Sequence, residues 1–363
     1  MNIMRIRIML LTALFFSLMM QRCYPVDLTQ EQEPVAMIVC LAGDGVLVHH
    51  ADAMAEASPA RMGMKLYTSD IIWTSAGSTC SLLLIDGQLV KVPSQSSVTM
   101  GTELNRRESV AQISPGMSSF LLKEEPRKGD SASSDVPLRT RGPGDGPIPL
   151  SPKDYAVMTD KPLFEWSEVP GALQYVLMLI NKEGDTWTKE VQGTRTEYPS
   201  DFPKLKLGES WFWQVDALSK KFRKSSESST FVVVSEEVKK ALEDLRTELS
   251  SGSGMDRERG FLLAMAYQKH DLLEEAAAEY KNMIEVEPGF AFAHEQLGLV
   301  YSKMGRIDQA IELLNKAAEL DPSSSRAHEE LARLYQAKGD PDMAKREQEI
   351  VGKMALAARG LKK

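Results

Sequence analysis

Apolar and polar positions change their period along this chain, and each change marks a different kind of element. Behind Arg5 and Arg7, the stretch Ile8–Met20 (IMLLTALFFSLMM) carries no charge. That is the layout of a secretory signal, and it is shorter than the roughly 20 residues a membrane span needs. Residues 1–23 are therefore expected to direct export, as a signal peptide or an N-terminal anchor. From Val35 to Met100 apolar residues alternate with polar ones, interrupted by Gly43-Asp44-Gly45 and Asp86-Gly87. This pattern predicts strands joined by tight turns, a small all-β module. Residues 123–149 are rich in Pro, Gly, Ser and charge, with little to bury, and read as a linker.

Alternation resumes across residues 150–235. Phe164 and Trp166 share one parity, as do Tyr175, Leu177 and Leu179, then Trp211, Trp213, Val215 and Ala217, and finally Phe231 and Val233. Such faces pack as two sheets of a β-sandwich, which assigns the aromatics to its inside; a carbohydrate platform is the competing reading. Beyond Ser235 the period becomes helical. Residues 236–250 form a leading helix, and then a spacing of 34 residues appears: Leu263, Leu297 and Leu331; Tyr267, Tyr301 and Tyr335; Ala276, Ala310 and Ala344. Pro288 and Pro322 close two units, and Gly305 and Gly339 occupy the turns inside units. The expected fold class is multidomain: two all-β modules followed by an all-α solenoid.

Three resemblances sharpen this. The phrase containing Gly63, Leu66, Asp70, Thr74, Gly77, Ser78, Asp86 and Gly87 resembles the FecR-type periplasmic domain of bacterial envelope proteins, over residues 34–105. Ser69 stands where that family usually has glycine. The resemblance implies a sensing or binding domain. It does not imply control of a sigma factor, because only Met1–Arg7 precede the apolar stretch. The phrases PLFEWSEVPGALQYVLML and ESWFWQVDA resemble a fibronectin type III-like or immunoglobulin-like module over 150–235. The 34-residue units resemble tetratricopeptide repeats, at 257–290, 291–324 and 325–358. Ala264, Gly298 and Ala332 take the small-residue position where paired helices touch, and Gln348 replaces a large apolar residue in the last unit, as in a polar cap.

The repeat resemblance implies a groove lined by the first helix of each unit. Its inward positions are Glu258, Phe261, Met265 and Gln268, then Phe292, Glu295, Leu299 and Ser302, then Arg326, Glu329, Arg333 and Gln336. The groove is expected to be apolar at one end and charged at the other. It lacks the Lys and Asn set that clamps a peptide carboxylate, and it suits an extended or helical segment with two apolar anchors. Alternatively, Phe261 and Phe292 pack against the leading helix or a neighbouring domain.

Composition narrows the function class. Among 363 residues, 43 basic side chains against 51 acidic ones leave a formal charge of −8, which gives no general field for nucleic acid. Of three cysteines, Cys23 lies at the export segment. Cys40 and Cys80 either form a disulfide, whose loop of about 40 residues would stabilise by roughly 3–4 kcal/mol, or remain two buried thiols. No CxxC or Cys/His metal spacing occurs, and no cofactor is implied. His49, His50 and Asp52 invite a metal, but adjacent strand residues face opposite ways. His294 and His328 read as core fillers, and Glu274 with Glu275 and Glu329 with Glu330 as solvated helix faces. There is no GxxxxGK, GxSxG or HExxH, so no catalytic residue is assigned. The expectation is a non-enzymatic adaptor of the bacterial cell envelope, periplasmic or membrane-anchored, binding a protein or peptide, with an envelope polymer as a second candidate partner. The alternatives are a sensor whose FecR-like domain binds a ligand and whose repeats relay its state, and a polysaccharide-handling enzyme.

Overall fold

A computed structural model describes residues 33–51, 57–101, 109–123, 146–250 and 255–360, with no side-chain description beyond 356. The export segment, Asp52 and nearly all of the 123–149 linker lie outside these residues. Among the described residues no helix is long and apolar enough to cross a membrane.

The first module is a pair of facing sheets. One has the order β4 (Lys65–Leu66), β1 (Ala36–Ala42), β6 (Thr79–Leu84), β7 (Gln88–Val92), β9 (Ser109–Gln112). The other runs β3 (Ser58–Pro59), β2 (Val46–His49), β5 (Ile71–Thr74), β8 (Ser96–Thr99). Ala36, Ile38, Val48, Ile72, Leu82, Val90 and Val98 fill the space between them. The opposite parity of the larger sheet, Met37, Val39, Leu83 and Leu89, is buried too, but against the rest of the chain. A sheet covered on both faces loses clean alternation, as β1 does.

One boundary here differs from the sequence reading. The module does not end at 105: β9 continues it by pairing with β7, and helix α1 (Pro115–Leu122) follows. Ser69 sits at φ 74°, so the turn keeps the left-handed conformation that glycine adopts freely. Asp70, buried behind it, accepts from the Tyr67 and Ala51 amides and pairs with His50 Nδ1 at 2.8 Å. His49 instead lies beside Trp73, with ring centroids 6.1 Å apart.

Cys40 and Cys80 are both buried and are not joined to each other. A bulge between Ile38 and Cys40 sets Cys40 opposite Ser81 and Cys80 opposite Leu41. The two sulfurs therefore leave opposite faces of one sheet and form no bridge.

The second module is also two-layered. A three-stranded sheet, β10 (Pro149–Ser151), β12 (Phe164–Trp166) and β15 (Arg195–Thr196), faces a larger one. The larger runs β11 (Tyr155–Val157), β18 (Ser229–Val233), β16 (Ser210–Leu218), β13 (Gln174–Ile180), β14 (Thr186–Val191), with β17 (Arg223–Ser225) beside β16. Phe164 meets Trp213 and Phe231 edge-on at 5.1 and 5.8 Å. These aromatics are core, and a carbohydrate platform is not available to them.

The helical region begins with α2 (Glu236–Ser250), which buries Leu242, Leu245 and Leu249. Antiparallel pairs follow: α3 (Asp256–Lys269) with α4 (Leu273–Val286), α5 (Ala291–Lys303) with α6 (Ile307–Leu320), and α7 (Ser325–Lys338) with α8 (Pro341–Gly360). One connected apolar cluster reaches from the outer face of the first module through the sandwich core into α2–α7.

Candidate protein-binding groove on the helical repeats

The first helices α3, α5 and α7 line one side of the repeat stack, and the twelve predicted positions divide by what covers them. At the α3 end the first module is seated on the helix. Ser81 Oγ donates to Glu258 Oε1 at 2.7 Å, and Arg257 reaches the Leu41 carbonyl at 3.4 Å. Phe261 is 2% exposed, and a Cβ at Gly63 would lie 3.6 Å from its Cζ. Lys269 donates to the backbone carbonyls of Phe120 and Lys123. The apolar anchor expected of Phe261 is thus occupied within the chain: the outer face of the larger sheet is itself apolar and closes on it. Phe292, half-buried, stacks edge-on against Phe261 at 5.4 Å, and Gln268 accepts from Tyr280 at 2.8 Å. Met265 is half-buried.

Cys40 lies in this junction. Burial, with Glu258 beside it and opposed by Arg257, pushes the Cys40 thiol up to about 11, which keeps it protonated at neutral pH.

Toward α7 the groove is polar. Glu295 accepts from Ser324, the residue that caps α7 by accepting from the Ala327 amide at 3.2 Å. Ser302 is gripped by Glu330 and Arg333, and Arg333 Nε also donates to Glu330 Oε2 at 2.9 Å. Burial alone would raise the Glu330 carboxyl, but hydrogen bonds from Arg333 and Ser302 outweigh it and hold the group below its usual range. Leu299 is half-buried, while Arg326, Glu329, Arg333 and Gln336 are exposed. Glu329, Arg333 and Gln336 come together with Ala332, Gln348 and Val351 around an open cleft between α7 and α8.

Three carboxylates differ from the solvated faces expected of them. Glu274 accepts from Tyr155 Oη at 3.1 Å and pairs with Arg306, tying the sandwich to the turn within the second repeat. Burial raises the Glu275 carboxyl. Glu330 serves the groove, and its spacing of three from Arg333 was a signal available in sequence. The two repeat histidines are packed: His294 contacts the Pro288 carbonyl at 2.9 Å, and His328 Nδ1 meets buried Glu347 at 2.6 Å. No group of three metal-ligating side chains occurs among the described residues.

The tetratricopeptide repeat family model matches residues 291–324, and a second tetratricopeptide repeat model matches 313–346. No curated protein matches the chain. Among solved structures, a crystal structure of MamA is 25% identical, with a TM-score of 0.32, and the match covers 34% of this chain and 72% of that one. MamA residues 41 to the end from Desulfovibrio magneticus RS-1 is 20% identical over 33% of this chain and 68% of that one, with a TM-score of 0.31. The C-terminal part of the chain carries tetratricopeptide repeats, preceded by β-sheet-rich modules.

Proposed function

We propose that this chain is a non-enzymatic adaptor of the bacterial cell envelope that holds a protein partner on the uncovered part of its repeat groove. The observation that supports this reading is the unequal cover along the groove: the first module closes the α3 end, while Leu299, Arg326 and the α7 side are left open. A partner segment would then be gripped by mixed charge with one apolar contact, and not by the two phenylalanines. Modest affinity from a single short segment follows, because association entropy offsets much of so small an interface. The uncharged stretch behind Arg5 and Arg7 supports export, with the chain periplasmic or anchored at the membrane.

A second reading is favoured by the Ser81–Glu258 and Gly63–Phe261 contacts. The first module, FecR-like in its turn residues, would sense a ligand or an envelope polymer and pass its state to the repeat it touches. The sandwich, fibronectin-like in pattern, holds the two in register.

The test compares proteins captured from an envelope extract by the native chain and by a Leu299→Ser, Arg326→Glu variant whose circular dichroism is unchanged. Loss of a specific protein from the variant alone is expected. Equal capture by both would remove the groove from consideration and leave the first module as the binding surface.

A further inference from the structure

At each inner junction of the stack, the two helices of one repeat are covered by the first helix of the next. Phe261 of α3 meets Phe292 of α5, Asn315 of α6 donates to Tyr335 of α7 at 3.2 Å, and Glu330 and Arg333 of α7 close on Ser302 of α5. A step of 34 residues carries buried positions of the second helices to the last repeat. Tyr280 and Leu314, both buried, correspond to Gln348, which is exposed. Met283 and Ala317, both buried, correspond to Val351, which is only partly so. Gln348 and Val351 line the cleft between α7 and α8 with Ala332 at its floor and Glu329, Arg333 and Gln336 on its rim. The cleft is the place a further helix takes at every other junction in the molecule.

A second observation lies on α8 itself. Helix α4 ends at Val286 and α6 ends 34 residues later at Leu320; the same step falls at Met354, yet α8 continues to Gly360. The overhang carries Leu356, which is 68% exposed. Successive steps of four place Gln348, Gly352 and Leu356 along one side of the helix. A Cβ at Gly352 would meet nothing within 4 Å, so the middle of that side is open to close approach by another helix.

We propose that two copies of this chain associate through this end. Each α8 lays its Gln348, Gly352 and Leu356 side on the other and inserts Leu356 over Ala332 and Val351 of the opposite cleft. The unpartnered helix side and the helix-sized cleft sit on the same element, so a two-fold arrangement satisfies both at once. Charge agrees with self-pairing. Glu349 and Lys353 are both exposed beside this side, and an antiparallel crossing at Gly352 sets the carboxylate of one copy near the ammonium of the other. The cleft shares Glu329, Arg333 and Gln336 with the α7 side of the groove, but Gly352 and Leu356 lie outside the groove and Leu299 and Arg326 outside the cleft, so the two sets of variants separate failure of partner capture from failure of self-association.

The test is sedimentation velocity of the full chain over a concentration series, alongside Leu356→Glu and Gly352→Arg. Both sites are exposed, so neither change disturbs packing within one copy, and circular dichroism reports that the helices remain. The native chain is expected to reach a dimer mass, with each variant raising the dissociation constant by at least about tenfold. A native chain that stays monomeric throughout the series overturns the proposal. So does a larger species that both variants leave unchanged, since that places self-association elsewhere in the chain.

Discussion

Cys40 packs toward Arg257 and Glu258, whereas Cys80 belongs to the core between the two sheets of the first module. Which face each takes depends on the bulge after Ile38, a single extra residue that the strand-like runs around both cysteines did not reveal in sequence. Thiol alkylation followed by peptide mapping should therefore label both positions only after denaturation. A Cys40–Cys80 disulfide recovered under non-reducing conditions would contradict the register. Glu274 teaches a related lesson. Beside Glu275 on a repeat helix it looks solvated, and only docking of Tyr155 from the sandwich, over a hundred residues away in the chain, gives it a buried partner. The sequence offered packing of Phe261 against a neighbouring domain as an alternative, but the cross-module partners of Cys40 and Glu274 were illegible because sequence pattern reports each residue's own element and not what lies across from it.

Elements were more legible than residues wherever a period was long enough to repeat. The 34-residue spacing located α3–α8 because small and large positions recur at matching points of each helix pair. Gly298 shows why the small position is required: a Cβ there would lie 2.7 Å from Leu314 Cγ. Gly298→Val is expected to destabilise the helical region by about 1–3 kcal/mol, since the close helix pair must part to admit the side chain. Chemical denaturation followed by far-ultraviolet circular dichroism measures this, and an unchanged midpoint would show that the pair has room. By contrast β9 escaped the sequence reading. Its four residues are mostly exposed and carry little alternation, and they form a strand only because β7 offers a free edge. Helix α1 starts at Pro115, a favourable first-turn residue, but its eight residues are too few to show a period.

For the whole molecule, the sequence suggested separate modules along a string, and the structure fuses them. Ser81, Leu41 and Gly63 meet α3, while Ala156 donates its amide to the Asp271 carbonyl at 3.1 Å and Tyr155 reaches Glu274. The half of the groove expected to take apolar anchors is covered for this reason. Ser81→Arg places a long cation in the buried seam without entering the core of the first module. Hydrogen exchange should then rise across Glu258–Met265 of α3 and remain unchanged in α7. Equal protection of α3 in both proteins would mean that the seam contributes nothing to the repeat's stability. The connected apolar cluster also gives the chain a common thermodynamic account of its parts. A molecule that binds the first module in its seated form raises the free energy needed to open α3 as well, by an amount set by ligand concentration over its dissociation constant. Stability gained at the sheets is thereby read out at the helices, with no change of shape required.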